Sequence, residues 1–350
     1  MYRLSDLLAR APSIKHFEPL PIDIRPLHVK EIRPRLIYQS NGKITHYGRT
    51  IFRHLNQLVP EVWMLAYQGS RVDLNNTNDL TVVWRLDGMD DATLKHLLPT
   101  VAPSFAIQAV SKKDISTSTN PEEQILFIQK PSHKYIGSGK LINISSDLDA
   151  LLKARPRLYY VTPTTSPFPI DNWVVQPLLP TLLWNDRKFD CRFFSVIYTD
   201  GQTLHHVNFP YGIGRICVNR YDPLHDVTSA ITNVSIQEKI AGYSPDLHMP
   251  LLKDDINLVD NIMKEIVDNI IKNGRIKTMK NKLHVMILGL DILFLPNGTP
   301  KLIEVNHEPS LEITQSNNEM ICSNELIRRV FGQIIPLFLL GQDPFNLPPS

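Results

Sequence analysis

Cysteine is scarce in this chain of 350 residues, and the three cysteines (Cys191, Cys217 and Cys322) form no CxxC pair. A disulfide framework is therefore excluded. Few and unpaired thiols favour a reducing compartment, so we expect a cytoplasmic protein. Glycine is also low, at 15 residues against 27 prolines, and the chain has no internal repeat or low-complexity tract.

Long hydrophobic runs and an excess of one charge are missing as well. No apolar stretch approaches the roughly 18–20 residues that cross a bilayer, and the first residues are too polar for a secretory signal. The 37 basic and 35 acidic side chains leave a net charge of +2, so we expect neither nucleic acid nor a membrane as partner. Hydrophobic residues make up 43% of the chain, which is enough for a core and excludes a disordered chain.

The pattern of apolar residues predicts a mixture of antiparallel strands and helices. Strands are predicted at residues 61–67, 80–86, 124–130, 140–144, 173–176, 190–199, 203–209, 284–295 and 301–305. Helices are predicted at residues 47–59, 91–98, 145–153, 255–272 and 323–340. Because Asp200-Gly201 and a Pro-Asn-Gly turn close hairpins between neighbouring strands, the predicted fold class is α+β rather than a regularly alternating parallel sheet.

Three oxygen-bearing side chains near the carboxyl end are candidates for a metal site. Asp291 lies inside the apolar strand HVMILGLDILFL, and Glu304 and Asn306 lie at the end of KLIEVNHEPSL. Residues two apart in a strand face the same side, so pairing of the two strands brings the three together. Their hard oxygen atoms suit Mg²⁺. The alternative is a turn-side polar group and an edge charge, although an unpaired carboxylate in an apolar strand is costly.

Two further segments carry basic side chains that suit phosphate. Lys130 ends the strand QILFIQK and precedes Gly137-Ser138-Gly139, whose backbone N–H groups can cradle a phosphate. An exposed lysine before an ordinary turn explains the same residues, and both interpretations stay open.

The segment RKFDCRFF alternates charged and apolar residues. Lys188, Asp190 and Arg192 share one face of a strand, and apolar residues share the other. A solvated ladder of ion pairs would have this pattern, and so would the charged wall of a site for a nucleotide and an acyl phosphate. Arg215, in YGIGRICVNRY, adds a guanidinium that can bind phosphate or carboxylate through two hydrogen bonds.

Together these blocks resemble the tubulin–tyrosine ligase-like family. RKFDCR, Arg215, TNVSIQEK, LGLDILF and IEVNHEPSL occur in the order and rough spacing of that family, over about residues 100–315. The family includes tubulin tyrosine ligase, the tubulin polyglutamylases and the polyglycylases, and it resembles the ATP-grasp enzymes in fold. The resemblance implies a divergent N-terminal lobe (1–100), a central ATP-grasp lobe (101–175) and a C-terminal lobe with the metal and phosphate site (176–350).

The resemblance also implies a role for each candidate residue. The residues expected to bind ATP are Lys130, Gly137, Gly139, Gln176, Leu179, Lys188, Asp190, Thr232 and Asn233. Within this set, Gln176 and the backbone through Leu179 form the hinge at adenine. Arg192 and Arg215 hold the incoming amino acid or the acyl phosphate. The expected ligands of Mg²⁺ are Asp291, Glu304 and Asn306.

The chain departs from the family pattern at three points. Pro177 follows the hinge glutamine and removes one backbone N–H. The first nucleotide lysine of the family has no clear counterpart, and Lys95, Lys112 and Lys113 are the candidates. His307 and Glu308 precede Pro-Ser where the family has a small residue.

The implied activity is ligation of an amino acid to a protein carboxylate. ATP phosphorylates the carboxylate, and the amine of a free amino acid (Tyr, Glu or Gly) then displaces phosphate. The resemblance implies tubulin as the acceptor. Tubulin tails are acidic, and residues 272–282, which carry five basic side chains and no acidic one, could attract them. The preferred interpretation of that segment is a solvated loop between helix and strand. Two alternatives stay open, namely the same ligation on another protein and a non-catalytic scaffold in a larger assembly.

Overall fold

A computed structural model describes a large part of the chain. The described residues are 2–3, 35–37, 64–66, 81–83, 86, 89–110, 125–131, 142–153, 173–199, 204–252, 256–274, 276, 282–307 and 309. The helices predicted at 47–59 and 323–340, the Asp200-Gly201 turn and the loop from Gly137 to Gly139 lie outside them.

Strands dominate the described residues. They are β1 (Tyr2–Arg3), β2 (Arg35–Ile37), β3 (Met64–Ala66), β4 (Thr81–Val83), β5 (Phe127–Pro131), β6 (Asn143–Ser145), β7 (Trp173–Pro177), β8 (Leu183–Trp184), β9 (Arg187–Thr199), β10 (Leu204–Ile216), β11 (His248–Leu252), β12 (Lys282–Phe294) and β13 (Pro300–His307). The α-helices are α1 (Asp90–Thr93), α2 (Leu98–Val101), α3 (Leu148–Lys153), α4 (Val234–Gln237) and α5 (Ile256–Asn273). Short 3₁₀ turns cover Val227–Ala230 and Pro245–Leu247.

The described strands form two sheets. The large sheet has ten strands in the order β1-β11-β10-β9-β12-β4-β2-β3, with β13 paired to β12 and β8 paired to β9. Its centre, from β11 to β13, is antiparallel. The small sheet is antiparallel, in the order β6-β5-β7. This mixture of helices and antiparallel sheet confirms the predicted α+β class.

The core lies on one face of the large sheet. Phe189, Cys191 and Phe193 of β9 are at most 1% exposed and share one hydrophobic cluster with Ile262 and Ile266 of α5. Burial of a large apolar side chain stabilises the fold by about 1.5–3 kcal/mol, so this face anchors α5. Because side chains alternate along a strand, the other residues of β9 turn to the opposite face.

Several elements differ from their predicted bounds. The helix predicted at 91–98 is two short helices, because Pro99 occupies the first turn of α2 and starts a new one. The helix predicted at 145–153 starts at Leu148, and its cap is Asp147, whose Oδ1 accepts from the Ala150 N–H at 2.9 Å. Strand β10 continues beyond Pro210, with its irregular register confined to residues 208–212. No helix of the described residues is both long and apolar enough to cross a membrane.

Candidate functional site

Charged side chains form rows across the face of the large sheet that is opposite α5. Strand register places Asp190 of β9 beside Arg215 of β10, and Arg192 of β9 beside Asp291 of β12. Asp291 in turn pairs with Glu304 of β13. The predicted shared face of β9 is therefore confirmed, and the pairing of four long strands brings residues together that are distant in the chain.

Two arginines and two aspartates form an alternating network in these rows. Arg192 donates from Nε and Nη2 to the two oxygens of Asp291, both at 2.7 Å. Arg215 donates from Nε and Nη2 to Asp190 at 2.7 and 2.6 Å, and its Nη2 lies 3.0 Å from Asp291 Oδ2. The Thr232 hydroxyl donates to Asp190 as well. Buried ion pairs lose much of their attraction to desolvation, so this network favours a role in binding over a role in stability.

Burial and charge pull the pKa values of this network in opposite directions. Burial raises the pKa of the Asp291 carboxyl, although Arg192 and Arg215 beside it lower that pKa. Burial by itself lowers the pKa of Arg215, but Asp190 and Asp291 outweigh it and raise this pKa well above its usual value. Arg215 is therefore a permanent cation at any relevant pH.

The three predicted metal ligands converge at one point. Asn306 donates from Nδ2 to Glu304 Oε1 at 2.9 Å and to Asp291 Oδ2 at 3.2 Å. Lys95 Nζ lies 2.8 Å from Glu304 Oε2. Burial alone raises the pKa of Glu304, but Lys95 and then Lys130 hold it well below its usual range. The described residues contain no group of three or more His, Cys, Asp or Glu placed to hold a metal, because the third ligand here is an amide.

Lys130 faces this cluster from the small sheet. Its side chain is 7% exposed, so the predicted exposed alternative is wrong. Burial, together with Lys95 and Lys188, lowers the pKa of Lys130 to about 7, although Glu304 and Asp291 act to raise it. These electrostatic partners indicate that Lys130 of β5 lies near the charged face of the large sheet.

Hydrogen bonds from Lys188 and Gln237 hold the end of the 3₁₀ turn at 227–230 and the residue that follows it. Lys188 Nζ donates to the Ala230 carbonyl at 2.7 Å, and burial lowers the pKa of Lys188. Gln237, 1% exposed, donates from Nε2 to the Ile231 carbonyl at 2.5 Å and accepts from the Val218 N–H at 2.7 Å. The segment that carries Thr232 is thereby fixed from both sides.

Asn233 and Gln176 make hydrogen bonds that residue spacing alone did not predict. Asn233 caps α4, since its Oδ1 accepts from the Ser235 N–H at 3.1 Å. Gln176 donates from Nε2 to the Ile107 carbonyl at 2.6 Å, and its buried Oε1 has no hydrogen-bond partner among the described residues. Leu178 donates its N–H to the Leu126 carbonyl at 2.7 Å, which ties the segment before Leu179 to the start of β5. Gln176 thus presents an unused acceptor at the end of β7.

Two site residues have no decisive signal in the sequence. Lys95 was one of three candidates, and the structure brings it to Glu304, while residues 112 and 113 lie outside the described part. His248, the cross-strand neighbour of Arg215, was not predicted, because Pro250 obscures the strand β11. Burial, followed by the charge of Arg215, lowers the pKa of His248 to about 4 and keeps it neutral.

The two described cysteines lie close to the site and are unreactive. Cys191 and Cys217 are buried. Burial raises the pKa of Cys217 to about 12 and that of Cys191 well above its usual value. Because the thiolate is the nucleophile of cysteine chemistry, neither side chain suits covalent catalysis.

Comparison with known proteins identifies a family over most of the chain. A family model described as the tubulin-tyrosine ligase family matches residues 85–339 of the 350. This span contains all the site residues described above, and it agrees with the resemblance drawn from the motif blocks.

Two curated relatives match parts of the same region. One is described as the probable alpha-tubulin polyglutamylase Ttll1 of Tetrahymena thermophila, and it is 28% identical over 172 residues, which cover 44% of this chain and 41% of that protein. The other is the tubulin polyglutamylase TTLL6 of Homo sapiens, 29% identical over 152 residues, which cover 35% of this chain and 17% of that protein. The matched region thus spans less than half the length of either relative.

Proposed function

Since the chain belongs to the tubulin-tyrosine ligase family, we propose that it is an ATP-dependent ligase that joins an amino acid to a protein carboxylate. The ligation passes through an acyl phosphate and uses Mg²⁺. Tubulin is the favoured acceptor.

The observation that carries this proposal is the charge of the buried site. Among the described residues, five basic side chains face three carboxylates there. The basic side chains are Lys95, Lys130, Lys188, Arg192 and Arg215, and the carboxylates are Asp190, Asp291 and Glu304. Buried basic groups in excess of acidic ones are unfavourable as cations unless a polyanion balances them. MgATP and an acyl phosphate are both such anions.

The donor set at β12 and β13 fits Mg²⁺. Two carboxylates and one amide meet there, and Asn306 already bridges Asp291 and Glu304 through its Nδ2. A half-turn of the amide brings its Oδ1 to the same point, so three oxygen atoms are available. When bound, Mg²⁺ supplies charge neutralisation between the phosphates of the nucleotide.

Nucleotide binding is assigned to the residues between the two sheets. Lys130 and Lys95 meet the phosphates, and Lys188 and Asp190 meet phosphate and ribose. Gln176 Oε1, buried and without a partner among the described residues, is an acceptor suited to the amino group of adenine.

The two arginines are assigned to the incoming amino acid and the acyl phosphate. Each guanidinium is bound to an aspartate through two short hydrogen bonds, and a substrate carboxylate or phosphate presents the same geometry. The acceptor carboxylate attacks the γ-phosphorus of ATP and releases ADP. The amine then attacks the acyl carbon, an amide bond forms, and inorganic phosphate and a proton leave. No side chain of the protein acts as a nucleophile, in keeping with the inert thiols.

Tubulin as acceptor is supported by the two relatives, which are described as a probable alpha-tubulin polyglutamylase and a tubulin polyglutamylase. The basic segment at 272–282 supports an acidic acceptor of this kind. It lies mostly outside the described residues.

Transfer of labelled amino acid tests the proposal. The protein is incubated with MgATP, tubulin and labelled glutamate, glycine or tyrosine in turn, and label on tubulin and ADP released are both measured. We expect one amino acid to be transferred with equimolar ADP, and the Asp291→Asn variant to transfer none. Transfer to another protein but not to tubulin would show that tubulin is not the acceptor. Nucleotide binding without ADP release would favour the non-catalytic scaffold.

A further inference from the structure

Gly289 leaves a notch in the charged face of the large sheet. It lies in β12 two residues before Asp291, and its cross-strand neighbours are Phe194 of β9 and Asn306 of β13. Glycine in the interior of a strand loses more conformational entropy on folding than other residues do, and it has no side chain to pack. In a buried central strand it therefore marks the close approach of another group.

Two groups fill the notch. A Cβ atom placed on Gly289 would lie 2.9 Å from Pro309 Cβ, 3.5 Å from Pro309 Cγ and 3.6 Å from Arg192 Nε. Carbon atoms in contact stay about 3.5–4.0 Å apart, so the first distance forces a displacement. The proline ring cannot rotate away from it, because the ring is closed onto the backbone. A methyl group would therefore push the proline ring away from β12, whereas its distance from the guanidinium is that of an ordinary contact.

The same two groups are attached to the candidate metal ligands. Arg192 Nε donates to Asp291 Oδ1 at 2.7 Å. Pro309 follows β13, the strand that carries Glu304 and Asn306, by two residues. A displacement of Pro309 by a methyl at 289 is thus transmitted along β13 to Asn306 and Glu304.

We propose that Gly289 is a positioning residue of the ligase site. Its bare Cα leaves room for Pro309 beside β12, so the end of β13 is not displaced and Asn306 keeps its place beside Asp291. The inference rests on the proposed function, which assigns Mg²⁺ to these ligands.

Calorimetric titration with Mg²⁺ and a non-hydrolysable ATP analogue tests the inference through a set of matched variants. We expect Gly289→Ala to weaken binding about tenfold or more, which is about 1.4 kcal/mol per factor of ten. Pro309→Gly alone retains binding within a few-fold. The double variant Gly289→Ala/Pro309→Gly recovers most of the affinity, because the colliding Cβ is gone. Gly289→Ala/Pro309→Ala recovers none, because alanine keeps that Cβ.

The outcomes separate this inference from the proposed function. A wild-type protein that does not bind the analogue overturns both. A wild type that binds, with Gly289→Ala binding equally well, overturns the positioning role alone. Rescue by both double variants, or by neither, also overturns it, since the collision involves the Cβ atom of residue 309. Should Gly289→Ala fail to fold, the same decision follows from the two double variants and their melting temperatures.

Discussion

At the scale of single residues, the site combines burial with charge. The side chains of Arg215 and Asp190 are 6% and 3% exposed, and two hydrogen bonds join them. Such pairs add little net stability, because desolvation offsets their attraction. Removal of one partner has a large effect, however, because the other is left buried and uncompensated.

Lys130 is expected to take up a proton when nucleotide binds. Burial is the main reason that its pKa is lowered to about 7, so Lys130 is largely neutral at pH 8 in the free protein. The negative charge of the nucleotide phosphates raises this pKa when the nucleotide binds. Affinity for the ATP analogue should therefore fall as pH rises above 7, by up to about tenfold per pH unit. Calorimetry at pH 8 in HEPES and in Tris measures the proton taken up.

Two variants test whether Lys130 is the group that takes up this proton. Lys130→Met should abolish the difference between buffers, whereas Lys153→Met, a change at an exposed lysine of α3, should preserve it. Equal binding heats for the wild type in the two buffers would contradict the assignment of Lys130 to the phosphates.

Arg192 is expected to compete with Mg²⁺ for Asp291. In the unliganded protein, Arg192→Gln should lower the free energy of unfolding by about 3 kcal/mol, because Asp291 is left buried with fewer donors. The Mg²⁺-bound ATP analogue should then stabilise this variant more than it stabilises the wild type. Urea denaturation with and without the ligand measures both effects, with the exposed Arg220→Gln as control. A smaller ligand effect in Arg192→Gln than in the wild type would rule out competition.

Residue spacing predicted part of this site. Glu304 and Asn306 are two apart in a strand, and their contact is confirmed. Lys95 could not be chosen from the sequence, because its proximity to Glu304 comes from tertiary packing and not from spacing. His248 had no signal, because its strand contains a proline. The ligand roles assigned to these residues stay predictions.

At the scale of elements, the strands with strong apolar patterns were predicted, whereas prolines in the middle of a strand hid the end of β10 and the whole of β11. Both β12 and α5 lie within two residues of their predicted bounds. The end of β10 and the whole of β11 were missed, because Pro210 and Pro250 mimic strand ends while neighbouring strands in the sheet hold them in place. Pairing with neighbouring strands thus outweighs the low strand propensity of proline in β10 and β11, on the side of the site that carries Arg215.

Gln237 is expected to hold the segment between the 3₁₀ turn at 227–230 and α4. Gln237→Ala removes hydrogen bonds to the Thr228 and Ile231 carbonyls and to the Val218 N–H. We expect a loss of about 2–3 kcal/mol in the free energy of unfolding, because buried backbone groups lose their partners. Urea denaturation measures it, with the neighbouring exposed Glu238→Ala as control. Equal stability of the two variants would contradict this role of Gln237.

At the scale of the whole molecule, the basic and acidic residues of the candidate site come from both sheets. The antiparallel centre of the large sheet supplies the arginines and carboxylates, and β5 of the small sheet supplies Lys130. Family membership and this mixture of helix and antiparallel sheet agree with the expected ATP-grasp-like fold. The lobe boundaries at residues 100 and 175 stay a prediction.

Binding of MgATP tests the central claim most directly. Melting temperatures are measured for the wild type, for Glu304→Gln and for the exposed control Glu238→Gln, each with and without millimolar MgATP. Ligand binding to the folded state raises the melting temperature in step with the ratio of ligand to dissociation constant. The ligase account predicts a clear rise for the wild type and for the control and none for Glu304→Gln. A well-folded wild-type protein without any rise would contradict it.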